Sequence, residues 1–253
     1  MNWISRSLTP MAMPLATLLI MGCSKSPGDG TIPSAPGGSV STAGQPAPSL
    51  PASASGWVSG LSNPYLGFAR GRVFNYGSQT AEGLETTVVE VTNQTKTIQG
   101  VTTTIVHDRV SLNGSLIEDT FDWYAQDTDG NIWYFGEDSK QINQGVIVGT
   151  AGSWEAGVNG AQPGIVMLAN PKVGMKYQQE FAAGVAEDMA RIQSLSAPAQ
   201  VPYGNFDDCL RTFETTPLDR TDRAYKYYER GVGLVLTTED KGNLRDELVS
   251  IKH

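Results

Sequence analysis

From residue 71 onward the chain alternates short runs rich in Val, Ile, Thr and aromatic residues with turn-forming dipeptides. Runs such as LETTVVEVTN, VTTTIVHDRVSL and LIEDTFDWYAQD show partial period-two alternation, which is the pattern of β-strands with two unlike faces. Asn113-Gly114 and Asp129-Gly130 have the composition of tight hairpin turns. Because the connections between successive strands are short, the sequence predicts an antiparallel meander.

A meander of roughly ten strands has to curl or close in order to protect its edges. We therefore expect a mainly β fold, a curved sheet or open barrel, with a two-sheet β-sandwich as the alternative. The run MARIQSLS could form a short helix, but the strand-like runs on both sides favour a strand. The Gly- and Pro-rich segment 152–174 is interpreted as a long excursion with few regular pairs that covers one face or mouth.

Residues 1–22 have the features of a lipoprotein signal peptide. An apolar run from Met11 to Met21 follows Arg6 and is too short for a permanent membrane-spanning helix. The run that ends in Gly22-Cys23 resembles the lipobox of bacterial lipoproteins. The resemblance implies cleavage after Gly22 and lipid, palmitate included, on Cys23, which would hold the protein on the membrane. Ser24 then indicates the outer membrane if the source has two membranes; a plain secretory signal is the alternative.

Residues 23–56 begin with this Cys and are rich in Ser, Pro, Gly and Ala. Such a composition buries too little apolar surface to offset ordering, so we expect a flexible tether. A single β-rich domain, 57–253, should follow.

The charge balance excludes some partners. Without the signal peptide the chain carries 17 basic and 26 acidic side chains, a net charge near −9. The sequence has no basic stripe, so we expect no nucleic acid partner. If Cys23 is lipidated, Cys209 is the one remaining thiol, and we interpret it as a small buried side chain whose pKa is raised by Asp207 and Asp208.

The stretch DWYAQDTDGNIWYFGED, 122–138, raises the question of a metal site. Asp127, Asp129 and Asn131 alternate as at the start of a calcium loop, but Gly130 comes too early and the later ligands are missing. A tight turn with Gly130 at positive φ is the favoured interpretation. Calcium ligation is the weaker alternative, and its candidate ligands are Asp127, Asp129, Glu187 and Asp188.

The same stretch is rich in aromatic residues. Trp123, Tyr124, Trp133 and Tyr134 lie on two neighbouring strands with alternating orientation. Cross-strand packing is the simpler explanation. The functional alternative is that these four residues face an apolar or flat ligand in a cavity.

Catalytic signatures are absent from the sequence. His107 and Asp108 are neighbours on a predicted strand and should point to opposite faces. No nucleophile-elbow, zinc or phosphate-loop motif is present, so we expect no catalytic residue and no cofactor. Solvated strand faces and turns explain most of the acidic clusters, which are Glu118-Asp119-Asp122, Glu137-Asp138, Glu187-Asp188 and Asp207-Asp208. A carboxylate-based hydrolase is the alternative, and its most notable acids, Glu180, Glu187 and Asp188, bracket the turn FAAGVA.

The segments GNFDDCL and YYERGVGLV, together with EDTFDWYAQDTDGNIWYFGED, resemble exported bacterial lipoproteins and related domains of unknown function. The resemblance covers most of the chain from Arg72 and implies a β-rich cell-envelope domain, without any catalytic or ligand residue. Arg230 stands where these proteins usually have Pro. We therefore expect a lipid-anchored, non-catalytic envelope protein that binds an apolar ligand or a protein partner. A hydrolase and a calcium-stabilised structural lipoprotein are the alternatives.

Overall fold

The computed structural model describes residues 56–253. The predicted signal peptide, the lipidation of Cys23 and nearly all of the predicted tether lie outside the described residues. Among the described residues, no helix has the length and apolar character needed to cross a membrane.

The described residues form sixteen strands. In chain order they are β1 (Trp57–Val58), β2 (Val73–Thr80), β3 (Gly83–Ile98), β4 (Val101–Leu112), β5 (Ser115–Asp127), β6 (Ile132–Asn143), β7 (Val146–Gly149), β8 (Trp154–Glu155), β9 (Gln162–Met167), β10 (Lys176–Gln178), β11 (Glu180–Phe181), β12 (Met189–Val201), β13 (Gly204–Thr215), β14 (Arg223–Glu229), β15 (Gly233–Glu239) and β16 (Arg245–Lys252).

Every strand pair is antiparallel, and the predicted hairpins form where the turn residues stand. Asn113 and Gly114 both adopt positive φ, 49° and 81°, between β4 and β5, as a tight two-residue turn requires. Gly130 has a φ of 95° in the connection between β5 and β6. The run MARIQSLS lies in β12, so the prediction of a strand is confirmed.

The sheet follows the order β10-β12-β13-β14-β15-β16-β2-β3-β4-β5-β6-β9-β11. Its two ends, β10 and β11, are separated in the chain by Gln179 alone, so the sheet curls round until its ends meet at one seam. This arrangement confirms the predicted antiparallel open barrel over the sandwich. Segment 152–174 is more regular than expected, because it contributes β8 and β9, and β9 belongs to the main sheet.

Alternate side chains of each strand point into the barrel. Phe74, Tyr76 and Val89 face inward and are buried. The segment before β2 adds Phe68, whose ring centroid lies 6.0 Å from that of Phe74 and 5.4 Å from that of Tyr124. This apolar packing provides the main driving force for folding.

The seam depends on a close approach at Gly164 in β9. A Cβ atom at Gly164 would lie 2.3 Å from the backbone carbonyl carbon of Gln179, whereas a Cβ at Gly77 would meet its nearest neighbour, Val249, at 3.6 Å. We expect Gly164→Ala to lower the free energy of unfolding by about 1–3 kcal/mol, because the backbone at Gln179 must move away from the added methyl group.

Gly77→Ala is the matched control, since neither glycine has a positive φ. We expect its free energy of unfolding to stay within about 1 kcal/mol of the parent value or to rise. Urea unfolding of both variants measures the difference. Equal midpoints for the two variants would contradict the close packing at the seam.

Candidate functional site

The hairpin of β5 and β6 places the four predicted ligand-facing aromatics on two different faces. Tyr124 and Tyr134 are cross-strand partners inside the barrel, with ring centroids 4.9 Å apart. Trp123 and Trp133 point outward, where Lys96 Nζ lies 3.4 Å from the Trp123 ring centroid. All four are at most 6% exposed. The structure therefore divides them between two buried layers, and their assignment to a ligand stays a prediction.

The turn at 128–131 uses the predicted calcium ligand Asp127 as a structural acceptor. Its carboxylate accepts hydrogen bonds from Asn131 N at 2.8 Å, Asn131 Nδ2 at 2.9 Å and Trp133 Nε1 at 2.8 Å. Asp129 is exposed in the turn. Glu187 accepts from the Gly184 amide at 2.7 Å. The described residues contain no group of three or more His, Cys, Asp or Glu side chains that could hold a metal ion.

A buried acidic cluster lies inside the barrel. A register shift between Asp122 and Tyr124 accompanies Gly136, which has a φ of 120°, and it places Glu137 directly opposite Asp122. Tyr134 Oη donates to Asp122 Oδ1 at 2.6 Å. Both carboxylate oxygens of Glu137 are buried without a hydrogen-bond partner in the described part of the protein.

The pKa values of this pair are shifted upward. Burial, the main cause, raises the pKa of Asp122 to about 7, with a smaller contribution from Glu118. Burial also raises the pKa of Glu137 well above its usual range, and the nearby carboxylates of Asp122, Glu180 and Glu118 raise it further. Burial and like charge both disfavour the ionised form of a carboxyl group. Bound protons therefore neutralise part of the negative charge of the cluster near neutral pH.

These buried acids correct one interpretation of the sequence. Glu118, Asp122 and Glu137 were expected on solvated faces, but all three are at most 6% exposed, whereas Asp119 and Asp138 point outward. A hydrolase would need its two carboxylates beside a cleft that substrate can enter. In this structure Asp122 and Glu137 face each other but are enclosed.

A second inner cluster surrounds Lys226 of β14. Its Nζ lies 2.8 Å from Glu214 Oε2, and both side chains are at most 6% exposed. Burial raises the pKa of the predicted metal candidate Asp188 to about 7 in spite of Lys226, and that of Asp222 to about 6. Because Asp188 belongs to the buried surroundings of Lys226, its charge is balanced partly by that ammonium group.

His107 and Cys209 each lie beside an acidic side chain. His107 faces outward, where its Nε2 lies 2.6 Å from Asp119 Oδ1 and its ring stacks on Phe121, while Asp108 faces inward, as predicted. Cys209 is fully buried, and burial, Glu229 and the neighbouring acids raise its pKa to about 12. The prediction of an unreactive buried thiol is consistent with this geometry, because the thiolate is disfavoured.

Basic and aromatic side chains form a cationic–aromatic face on the outer surface of β10 and β12–β16, and this face was not predicted from the sequence. Cross-strand pairing aligns its residues on one side of β10 and β12–β16. We define the cationic–aromatic face as Lys176, Arg191, Arg211, Phe213, Arg223, Tyr225, Tyr227 and Arg245.

Within this face the guanidinium groups lie over aromatic rings. Arg211 Cζ lies 5.2 Å from the Tyr225 ring centroid and 5.8 Å from that of Tyr227, and Arg223 Cζ lies 5.0 Å from that of Phe213. The rings of Phe213 and Tyr225 are 5.0 Å apart. Such stacking holds cationic side chains in defined positions while leaving their donors available.

Acidic side chains partly offset the positive charge of the face, and a groove borders it. Asp240 lies 3.5 Å from Arg223, and Glu247 lies 2.8 Å from Arg245. Glu229 follows Tyr227 on the same side of β14, so five basic side chains stand against three acids. The adjacent groove has a volume of about 630 Å³. Its lining includes Pro198, Ala199, Pro202, Tyr227, Leu236 and Arg245.

The signal for this face was present in the sequence as period-two alternation. Arg211 and Phe213 in one run, and Arg223, Tyr225 and Tyr227 in the next, occupy every second position. Alternation identifies residues that share a face, but the register that brings the two runs side by side depends on the sheet.

Comparison with known proteins does not identify a family. No family model matches the chain, and no curated protein matches it. A crystal structure from Bacteroides fragilis NCTC 9343, named as an exported protein with a YmcC-like fold, is 14% identical, with a TM-score of 0.43 over 76% of this chain and 100% of that chain. Another, named as a lipoprotein of Parabacteroides distasonis ATCC 8503, is 13% identical, with a TM-score of 0.38 over 75% of this chain and 99% of that one.

Proposed function

We propose that this protein is a non-catalytic, lipid-anchored protein of the cell envelope that holds an acidic segment of a protein partner on its cationic–aromatic face. The observation that carries the proposal is the concentration of five basic side chains and three aromatic rings on one outer face of a chain whose formal net charge is −8. The lipobox ending in Cys23 supports the anchoring.

The dense packing inside the barrel favours a partner that binds the outer surface over an apolar ligand that binds within. Its inner face is occupied by large, fully buried side chains, among them Phe74, Tyr124 and Tyr134. A protein partner on the outer face needs no rearrangement of this packing.

The composition of the face fits a protein partner. Tyr and Arg, together with Trp, are enriched at the energetic centre of protein interfaces. There a stacked, partly desolvated guanidinium group can bind one carboxylate through two parallel hydrogen bonds. Asp240 and Glu247 lie among the basic side chains, so the face carries charges of both signs. Binding to an anionic lipid surface depends instead on a dense cluster of basic residues. Its positive charge should also speed the approach of an acidic partner.

Poly-L-glutamate provides a direct test of this function. We expect the purified full chain to bind a fluorescent poly-glutamate peptide at low salt, and Arg191→Glu/Arg223→Glu to weaken binding at least about tenfold, because each reversal replaces attraction by repulsion. Both arginines are exposed, so the fold should tolerate the changes. Fluorescence anisotropy at increasing salt concentrations measures the affinity.

Arg70→Glu/Lys252→Glu is the control, since it changes the net charge equally at two exposed positions away from the face. We expect it to retain most of the binding. An equal loss in both variants would show a response to net charge alone and would contradict a defined face. Stronger, Arg191-dependent binding to phosphatidylglycerol vesicles than to the peptide would replace the protein partner by a membrane.

A further inference from the structure

An uncharged, apolar edge strand projects from the other side of the barrel. In β7 the side chains of Val146, Ile147 and Val148 are 64%, 55% and 63% exposed. The strand pairs with β6 on one side, and within the described residues no strand pairs with its other edge. Monomeric proteins usually protect such an edge with charge, Pro or a covering loop.

The register of the β6–β7 hairpin directs backbone groups toward this open edge. Asn143 and Val146 flank the two-residue turn Gln144-Gly145, and the next pair is Ile142 with Ile147. Because hydrogen-bonded and non-hydrogen-bonded pairs alternate in an antiparallel ladder, the pair after the turn-flanking pair is not hydrogen-bonded. The N–H and C=O of Ile147 therefore point away from β6 and can bond to another strand.

The charge distribution selects the occupant. Residues 141–153 contain no Asp, Glu, Lys, Arg or His, although the chain as a whole is strongly acidic. Two copies can therefore approach each other here without placing like charges in contact, whereas a charged partner strand would gain no ion pair. The pairing of β7 with a second β7 is also self-complementary. A two-fold axis between the two Ile147 residues places Val146 of one copy opposite Val148 of the other.

We propose that β7 pairs antiparallel with β7 of a second copy of this chain, with the two Ile147 residues facing each other as a hydrogen-bonded pair. The pairing joins the two barrels edge to edge and buries three β-branched side chains from each copy. It involves β7 alone and is independent of the cationic–aromatic face, so either proposal can fail without the other.

Disulfide trapping in the intact cell envelope tests this contact with the full, lipidated chain. Opposite residues in a hydrogen-bonded antiparallel pair have Cα atoms about 5.5 Å apart, which is within the Cα range of disulfides, and a small backbone movement brings the Cβ atoms close enough for the bond. We expect Ile147→Cys to give a covalent dimer on a non-reducing gel after mild oxidation. The buried Cys209 should not contribute, and the parent chain shows any contribution from Cys23.

Val173→Cys is the matched control, because Val173 is equally exposed, at 63%, but lies outside β7. Adding Val146→Lys to Ile147→Cys should reduce the dimer band at least about fivefold, because it places a cation in the paired strand. In detergent solution, Ile147→Lys should convert the dimer seen by light scattering into a monomer of unchanged melting temperature. A monomeric parent chain, or a Val173→Cys band as strong as that of Ile147→Cys, would overturn the proposal.

Discussion

Glu137→Gln is expected to raise the melting temperature of the protein at pH 8 by about 5–10 °C. Glu137 is buried opposite Asp122, and both of its carboxylate oxygens lack a hydrogen-bond partner among the described residues. Ionising this side chain places a second negative charge in a site that excludes water. An amide of the same shape removes that charge without changing the packing, so the folded state gains stability.

The pH dependence has a definite sign. A carboxyl whose pKa is raised on folding binds its proton more tightly in the folded state, so the free energy of unfolding falls as pH rises from the unfolded pKa through the folded one. For Asp122 this interval runs from 3.8 to about 7, which corresponds to about 4 kcal/mol lost by pH 8. We therefore expect the parent chain to be more stable at pH 5 than at pH 8.

Thermal unfolding of the full chain between pH 5 and pH 8 measures both effects. For a domain of this size about 1 kcal/mol shifts the melting temperature by roughly 2–4 °C. Glu137→Gln should flatten the pH dependence as well as raise the curve at pH 8. Glu82→Gln is the control because Glu82 is exposed and should leave the curve unchanged. A parent chain equally stable at both pH values would contradict the account of the acidic cluster.

The strands and turns could be predicted from the sequence because their causes are local. Period-two runs and Asn-Gly or Asp-Gly turns encode strands and hairpins directly, and the need to protect edges predicts closure. The inner acidic cluster has no local signature. The register shift beside Gly136 decides which side chains of β5 and β6 lie together inside the barrel, and so whether Glu137 or Asp138 belongs to the cluster. A shift of one residue reverses every assignment beyond it.

The buried acids were also missed because acidic side chains are rarely buried without a partner. That rule assigns such residues to solvent, and it is correct for Asp119 and Asp138 on the same two strands. Glu137 breaks this rule, and Asp122 is buried opposite it with Tyr134 as a hydrogen-bond donor, so the fold tolerates a large electrostatic cost here. The cationic–aromatic face was missed for the opposite reason, since each of its strands looks like an ordinary solvated surface until pairing brings Arg211 beside Tyr225 and Tyr227.

Lys226→Met is expected to destabilise the protein by about 3–5 kcal/mol at pH 8, the usual cost of removing one partner of a buried ion pair. Lys226 Nζ is 2.8 Å from Glu214, and the two side chains are 3% and 6% exposed. Asp188 and Asp222 are also electrostatically linked to Lys226. Without the ammonium group these carboxylates face one another with no compensating charge.

The same substitution should cost less at pH 5 than at pH 8, because Asp188 and Asp222, with pKa values of about 7 and about 6, hold their protons there. Lys226→Met/Glu214→Gln should recover most of the lost stability at pH 8, since it removes both charges of the pair. Lys140→Met is the control, as Lys140 forms a partly exposed pair with Asp138 and should cost at most about 1 kcal/mol. Chemical unfolding of the four proteins at both pH values gives the comparison. A loss for Lys226→Met that is independent of pH would indicate that packing of the lysine stem, and not its charge, holds this part of the barrel together.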